Sequence, residues 1–146
     1  MMHKRSADAV AAFSRGASCS MAVFSAYAPD LGLDAGMAAC IASPFGAGIS
    51  RTGDICGAVS GALMVIGLAQ RKEDIRDAPS REKVYALSKR FMDEFTARNG
   101  SVMCTDLIGY DLSDPQQYAE AREQKVFANR CVKLVREAGE ILEGIL

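Results

Sequence analysis

The sequence predicts an all-α fold, a single-domain compact helical bundle of about five to six helices over residues 1–146. Apolar residues recur at helical spacing along most of the chain, and no stretch keeps the alternation typical of a strand. Capping residues and helix-ending Pro and Gly residues divide this pattern into helical segments. At 146 residues, 49% hydrophobic and 24% charged, the chain can bury a core without disulfides or metals.

The charged residues are divided unevenly between the two halves. Residues 1–70 contain four basic and four acidic residues, and residues 71–146 contain the other thirteen and fourteen. This difference predicts buried central helices in the first half and helices with one solvated face in the second. Two domains would also explain it, but each would be small for a stable core. The net charge of -1 gives no general attraction to nucleic acid or to an anionic membrane.

Two helices are predicted before residue 44. The first runs from Ser6 to Ala28 and ends at Pro29, because its apolar and small residues keep a helical spacing up to that point. Asp34 caps the second, which runs through Ile41 because the residue preceding Pro44 avoids helical dihedrals.

The third predicted helix follows a loop formed by Phe45–Gly48. A residue of the segment Thr52–Asp54 caps it, and it continues to about Gln70. Its most apolar run, Ile55–Ala69, is short for a membrane span and contains three glycines and a serine. A buried core helix is therefore predicted, with no membrane span.

Gly53, Gly57 and Gly61 recur every fourth residue along one face of this third helix. Each costs about 1 kcal/mol in a helix interior relative to Ala, so the stripe indicates a close contact. Packing against another helix explains it, within the chain or in a homodimer. A pocket beside Cys56 is the alternative, in which Gly57 and Gly61 border a bound group.

Three helix starts are predicted in the second half. One helix begins around Pro79-Ser80 and ends at Asn99-Gly100, a usual left-handed stop. Ser101 caps a short helix containing Val102–Ile108. The run Asp114-Pro115-Gln116-Gln117 is a helix-start signature. The last helix is expected to bury Phe127, Cys131, Leu134, Val135, Ala138, Ile141, Leu142 and Ile145.

Most usual catalytic sets are missing from the sequence. Its one histidine, His3, lies near the first residue, which disfavours Ser-His and Cys-His catalysis and His-based metal sites. No Cys-x-x-Cys pair and no dinucleotide fingerprint is present. No segment resembles a targeting signal, so a cytoplasmic location is expected, where structural disulfides are uncommon. The five cysteines then require burial, a metal or redox chemistry as their explanation.

Two of the five cysteines are predicted to lie near helix N-termini. Cys56 falls within about the first turn of the third helix, and Cys104 comes three residues after the Ser101 cap. The positive end of a helix stabilises a thiolate and lowers its pKa, so both are candidate nucleophiles or metal ligands. Cys19 and Cys131 are predicted in mid-helix, facing inward, and join the first two only if the bundle brings them together.

The segment Cys56-Gly57-Ala58-Val59-Ser60-Gly61 resembles the CGAxxG core of the C_GCAxxG_C_C family, a bacterial and archaeal family of redox-active proteins of about this length. The family pattern has one upstream and two downstream cysteines, matched here by Cys19, Cys104 and Cys131. The resemblance covers roughly residues 10–135 and implies a redox function, with an unidentified redox partner and a link to transporter systems. Cys40 falls outside the pattern and is predicted to be a core residue.

Three functions remain open from the sequence. In the first, the chain is a thiol oxidoreductase in which Cys56 or Cys104 attacks a disulfide or an oxidant, and another cysteine resolves the product. In the second, Cys19, Cys56, Cys104 and Cys131 hold an iron–sulfur cluster for electron transfer, or less readily zinc. In the third, the chain is a non-catalytic helical interaction protein with buried cysteines.

Overall fold

The computed structural model describes residues 2–72, 74 and 76–146, which form eight right-handed α-helices and no β-strand. The all-α prediction is therefore confirmed, while the predicted count of five to six helices is too low because two predicted helices are each divided. The helices are α1 (Ser6–Ser14), α2 (Cys19–Tyr27), α3 (Ala35–Ala42), α4 (Gly57–Ala69), α5 (Ala78–Asn99), α6 (Cys104–Ile108), α7 (Pro115–Glu123) and α8 (Val132–Ile145).

The first predicted helix is broken between α1 and α2. Gly16 adopts a φ of 108°, and Ser18 is extended, so the helical hydrogen-bond pattern stops and restarts at Cys19. The apolar spacing continues across the break because α1 and α2 pack against each other and against the same core. Cys19 is consequently the first residue of α2, and its predicted position in mid-helix is wrong.

The second break separates α7 from the last helix. Lys125 has a φ of 57°, and the π-helical turn Phe127–Cys131 then leads directly into α8. Cys131 ends this turn and faces inward, as its spacing predicts. Most of the predicted apolar stripe that follows is buried, whereas Phe127 and Ile145 are half-buried.

Several predicted helix boundaries are confirmed by their caps. The carboxylate of Asp34 accepts a hydrogen bond from the backbone N of Met37 at 3.0 Å, and that of Asp114 accepts one from Gln116 at 3.1 Å. The helix α5 ends at Gly100, whose φ of 86° is the predicted left-handed stop. These signals lie within a few residues of each boundary, so they can be recognised without tertiary information.

The helices α2 and α4 pack closely against each other along two glycines of α4. A Cβ added at Gly61 would lie 2.8 Å from the carbonyl oxygen of Ser20, and one at Gly57 would lie 3.0 Å from the Ser20 backbone N. Close packing within the chain thus explains these two glycines. Gly53 does not belong to the stripe, because it precedes α4 with a φ of 76° and its missing Cβ makes room for Thr105.

Glu143 in α8 joins α1, α2 and α8 at one end of the bundle. Its carboxylate accepts hydrogen bonds from the backbone N of Arg5 at 2.8 Å and of Ser6 at 3.1 Å, which satisfies amides at the start of α1. The hydroxyl of Tyr27, at the end of α2, donates to it at 2.5 Å. Because Tyr27 and Glu143 lie near the C-terminal ends of their helices, α2 and α8 run side by side in the same direction.

The buried side chains form a main core and a smaller cluster. The main core contains residues of α2, α4, α5 and α8, including the stacked Phe91 and Phe95. The smaller cluster consists of Cys104, Ile108, Leu112, Ala121, Val126 and Cys131. In the part of the chain that the structure describes, no helix has both the length and the apolarity needed to cross a membrane.

Candidate functional site

A cavity of about 300 Å³ lies where the main core meets the smaller cluster. Four of the five cysteines line it: Cys19, Cys56, Cys104 and Cys131. The bundle therefore brings together the two cysteines predicted at helix starts and the two predicted to face the core. Most of the remaining lining is apolar, with side chains from Phe13, Leu107, Ile108, Leu112, Phe127 and Leu134.

One wall of the cavity is a left-handed helical turn. All five residues from Ala47 to Arg51 have positive φ, in the segment that begins with the predicted Phe45–Gly48 loop. Each residue with a side chain costs roughly 1–2 kcal/mol in this conformation. The hydroxyl of Ser50 donates to the carbonyl of Pro44 at 2.9 Å, and that of Thr52 donates to Gly48 at 2.9 Å. These two hydrogen bonds fix the turn in its strained conformation beside the cysteines. Backbone strain of this kind persists only where the surrounding structure fixes it, and it is common at functional sites.

Gly48 is the residue that lets this turn approach Cys104. A Cβ at Gly48 would lie 2.5 Å from the Cβ of Cys104 and 3.1 Å from backbone atoms of Asp54. Gly57 has a similar relation to Cys19, because a Cβ there would lie 3.1 Å from the Cβ of Cys19. Gly57 also lines the cavity, whereas Gly61 lies one turn farther along α4, against Ser20.

Cys56 and Cys104 are placed by a short antiparallel pairing of their segments. The backbone N of Cys56 donates to Val102 at 2.8 Å, and that of Cys104 donates to Asp54 at 2.8 Å. The two cysteines are therefore diagonal neighbours on one side of the isolated bridge between Ile55 and Met103. Diagonal Cα atoms in such pairs are roughly 7–8 Å apart. A disulfide needs Cα atoms within about 7 Å, so this diagonal placement disfavours one between Cys56 and Cys104.

The start of α6 differs from its predicted position. The helix begins at Cys104, and the Ser101 hydroxyl oxygen accepts a hydrogen bond from the backbone N of Met103 at 3.0 Å in the turn before it. The predicted cap at Ser101 is therefore wrong by two residues, because its side chain closes a local turn in place of capping the helix. Cys104 is consequently at the first helical position.

The pKa values of Cys56 and Cys104 are raised, so the prediction that helix N-termini lower them is wrong. Burial raises the pKa of the Cys56 thiol to about 11 and outweighs the nearby amides of Ala58 and Val59, which lower it. Burial, followed by the charges of Cys56 and Cys131, raises the pKa of Cys104 to about 12. Removing water from a buried thiolate costs more free energy than a helix N-terminus supplies by stabilising the charge. This holds particularly for a helix as short as α6.

Cys19 and Cys131 are the two cavity thiols that shift each other's pKa most strongly. The neighbouring Cys19 thiol lowers the pKa of Cys131, against the opposing effect of burial. The Cys131 thiol, and then burial, raises the pKa of Cys19 well above its ordinary value. Cys131 is therefore the cavity thiol that ionises most readily, and Cys19 is the thiol that keeps its proton. No local sequence signal distinguishes this pair, because the contact depends on how α2 and α8 pack.

All five cysteines are free thiols in the structure. Within the described ranges, no three His, Cys, Asp or Glu side chains are grouped as metal ligands would be. The four cavity cysteines thus share one space without forming a close ligand set. The arrangement supplies one interacting dithiol, Cys19 and Cys131, and two further protonated thiols.

Cys40 is exposed on α3, so its predicted place in the core is wrong. The buried face of this helix is formed by Ala38 and Ala42, one turn apart. Cys40 lies on the solvent side with Met37 and Ile41, which are 55% and 49% exposed. The apolar composition of α3 concealed which face packs against α2.

Arg51 and Tyr118 line the cavity where the left-handed turn meets α7, and no motif in the sequence marks either residue. The guanidinium of Arg51 donates to the Tyr118 hydroxyl at 3.0 Å, and its central carbon lies 4.1 Å from the centre of the Tyr118 ring. The ring of Phe127 packs against the ring of Tyr118, with their centroids 5.9 Å apart. No short-range pattern links Arg51 to Tyr118, because the contact is between distant segments.

A comparison with known protein families gives a match over most of the chain. A family model described as "Putative redox-active protein (C_GCAxxG_C_C)" matches residues 17–145, a range that contains all four cavity cysteines. No curated protein matches the chain, and no solved structure matches it. The family match covers most of the chain, so it applies to the whole bundle and not to the CGAxxG segment alone.

Proposed function

The chain belongs to the C_GCAxxG_C_C family, whose members are described as redox-active, and from this premise we propose that it carries out thiol–disulfide exchange at Cys19 and Cys131. The observation that supports the proposal is that these two thiols line one cavity and shift each other's pKa in opposite directions. A readily ionised thiol beside a protonated one is the arrangement that an attacking and a resolving cysteine require.

In the proposed reaction, a small disulfide enters the cavity and the Cys131 thiolate attacks one of its sulfurs. The substrate S–S bond breaks, a mixed disulfide with Cys131 forms, and the first half of the substrate leaves as a thiolate that takes up a proton. Cys19 then loses its proton and attacks the Sγ of Cys131, which releases the second half as a thiol. Two protein thiols are oxidised to one disulfide, and one substrate disulfide is reduced to two thiols.

Cys56 and Cys104 remain reduced during this exchange. Burial keeps both thiols protonated, and their diagonal placement disfavours a disulfide between them. We place them as neutral lining of the cavity, where their protonated form avoids repulsion with the Cys131 thiolate. The iron–sulfur alternative has less support. It requires the four sulfurs to form a close ligand set, and no such set is found among the described residues.

A redox titration tests the proposal. The protein is equilibrated in buffers of increasing ratio of oxidised to reduced dithiothreitol, and the free thiols are counted after acid quenching. We expect a reversible two-thiol transition that Cys19→Ser and Cys131→Ser each remove, whereas Cys40→Ser, outside the cavity, leaves it intact. A transition that survives Cys131→Ser, or an absence of any transition, would overturn the proposal.

A further inference from the structure

The size of the cavity limits the substrate to a small molecule. Its volume of about 300 Å³ is at the lower end of the range for small-molecule sites. Phe13, Leu107, Leu112 and Leu134 contribute apolar surface around the cysteines, so an aliphatic body is favoured over a polar peptide. The sulfur-bearing end of a substrate must reach Cys131, which is buried, so a protein disulfide on a rigid surface fits poorly.

Arg51 supplies a positive charge to the same cavity. Its guanidinium is held against Tyr118 by a hydrogen bond and by a cation–π contact, so the side chain is already restricted before a ligand binds. Arg51 forms no salt bridge with any carboxylate in the part of the chain that the structure describes. A second guanidinium, from Arg122, lies 5.9 Å from the ring centre of Tyr118 and adds positive charge near this ring.

The backbone of Arg51 is itself fixed by the strained turn. Its φ is 70°, the last of five consecutive positive values, and the turn presents Ala47, Gly48 and Arg51 to the cavity. A planar guanidinium without a carboxylate partner binds carboxylate and phosphate groups through paired hydrogen bonds. The strained turn therefore positions Arg51, whose guanidinium is available to bind an anionic group.

We propose that the substrate couple is a small dithiol and disulfide with an aliphatic body and one anionic group, whose sulfur end reaches Cys131 while the anionic group binds Arg51. This inference rests on the proposed thiol–disulfide exchange and adds the class of molecule that takes part in it. The apolar walls accept the aliphatic body between the two ends.

Such a dithiol can reduce the disulfide between Cys19 and Cys131 and is itself oxidised to a disulfide. One substrate thiolate attacks the Sγ of Cys131, the bond between Cys19 and Cys131 breaks, and Cys19 leaves and takes up a proton. The second substrate thiol loses its proton and attacks the substrate sulfur bound to Cys131. The substrate closes to a cyclic disulfide, and Cys131 leaves as a thiolate.

Dihydrolipoate and dihydrolipoamide provide a matched pair of probes, because they share the dithiol and the aliphatic chain and differ in the terminal charge. Oxidised Cys40→Ser protein is mixed with an excess of each probe, and reduction of the Cys19–Cys131 disulfide is followed by quenching and peptide mass spectrometry. We expect dihydrolipoate to react about tenfold faster at low ionic strength, with a smaller preference at high salt.

Two variants test whether Arg51 causes the preference. Arg51→Met keeps an unbranched side chain without the charge and is expected to make the two rates equal. Arg51→Lys keeps the charge and is expected to retain part of the preference, which separates loss of charge from damage to the turn. Equal rates for the two probes in Cys40→Ser protein that keeps Arg51 would overturn the inference. A preference for dihydrolipoate that survives in Arg51→Met would also overturn it.

Dithiothreitol, a neutral dithiol, distinguishes this failure from failure of the proposed function. If dithiothreitol reduces the Cys19–Cys131 disulfide and the two lipoyl probes react equally, the substrate class is wrong and the exchange chemistry stands. If oxidation forms no Cys19–Cys131 disulfide at all, the proposed function is wrong.

Discussion

Cys19, the first residue of α2, and Cys131, the residue that precedes α8, line the same cavity, and the Cys19 thiol lowers the pKa of Cys131. The parallel packing of the two helices brings these ends together, and Glu143 fixes their opposite ends through Tyr27. One thiol in the pair is thereby biased toward ionisation and the other toward keeping its proton. The redox proposal depends on this difference.

The first prediction concerns the order in which the cavity cysteines react. Because the pKa of Cys131 is lowered while those of Cys56 and Cys104 are about 11 and about 12, Cys131 has the largest thiolate fraction at neutral pH. Iodoacetamide should therefore alkylate Cys131 first in Cys40→Ser protein, as measured by mass spectrometry of labelled peptides. Cys19→Ala removes the neighbouring thiol that lowers the pKa of Cys131, so the pH at which Cys131 becomes reactive should rise.

This first prediction has a clear opposite outcome. If Cys56 or Cys104 is labelled before Cys131 at neutral pH, then the helix N-termini control reactivity and burial does not. Raising the pH should bring Cys56 and Cys104 into reaction, because each becomes reactive as the pH approaches its raised pKa.

The second prediction concerns Cys40. An exposed thiol reacts with Ellman's reagent without opening of the fold, so the native protein should show one fast-reacting thiol. Cys40→Ser should remove the fast phase and change the free energy of unfolding by no more than about 0.5 kcal/mol. A fast phase that persists in Cys40→Ser would place the exposed thiol elsewhere.

The third prediction compares two glycines of α4. Gly61→Ala should destabilise the protein by about 1–3 kcal/mol, because the added Cβ meets the backbone of Ser20 at 2.8 Å. Gly67→Ala should stabilise it by about 0.5–1 kcal/mol, since nothing lies within 4 Å of the added Cβ and Ala favours a helix. Urea denaturation of both variants measures the difference, and equal effects would contradict the close packing of α2 against α4.

The fourth prediction concerns Gly48 in the left-handed turn. Gly48→Ala should lower the free energy of unfolding by about 2 kcal/mol or more, since it combines a strained φ of 66° with a contact against Cys104. Lys125→Gly is the control at an exposed left-handed residue, and relief of strain there should stabilise the protein by up to about 1 kcal/mol. A neutral Gly48→Ala would mean that the turn does not press against Cys104.

The helix boundaries could be predicted because their signals are local. Asp34 and Asp114 accept bonds from amides two or three residues away, and Gly100 ends its helix by its own backbone conformation. The break at Gly16 could not be predicted in the same way. A glycine inside an apolar period fits a continuous helix and a broken one equally, and only the packing of α1 on α2 decides between them.

The sequence groups the four cysteines that line the cavity, but it does not assign their roles. The CGAxxG segment and the order of the cysteines identify Cys19, Cys56, Cys104 and Cys131 as one group, and they do line one cavity. Which thiol ionises depends on burial and on the contact between Cys19 and Cys131, and both are products of tertiary packing. The left-handed turn that presents Arg51 could not be predicted from the sequence either, because Ala, Ile, Ser and Arg rarely adopt positive φ.

Peptide mapping of the oxidised protein tests the central claim most directly. Cys40→Ser protein is oxidised with a small disulfide, blocked with a thiol reagent, digested without reduction, and its disulfide-linked peptides are identified by mass spectrometry. We expect one intramolecular disulfide, joining Cys19 to Cys131, with Cys56 and Cys104 recovered as free thiols. A disulfide joining Cys56 to Cys104, or four free thiols after oxidation, would contradict it.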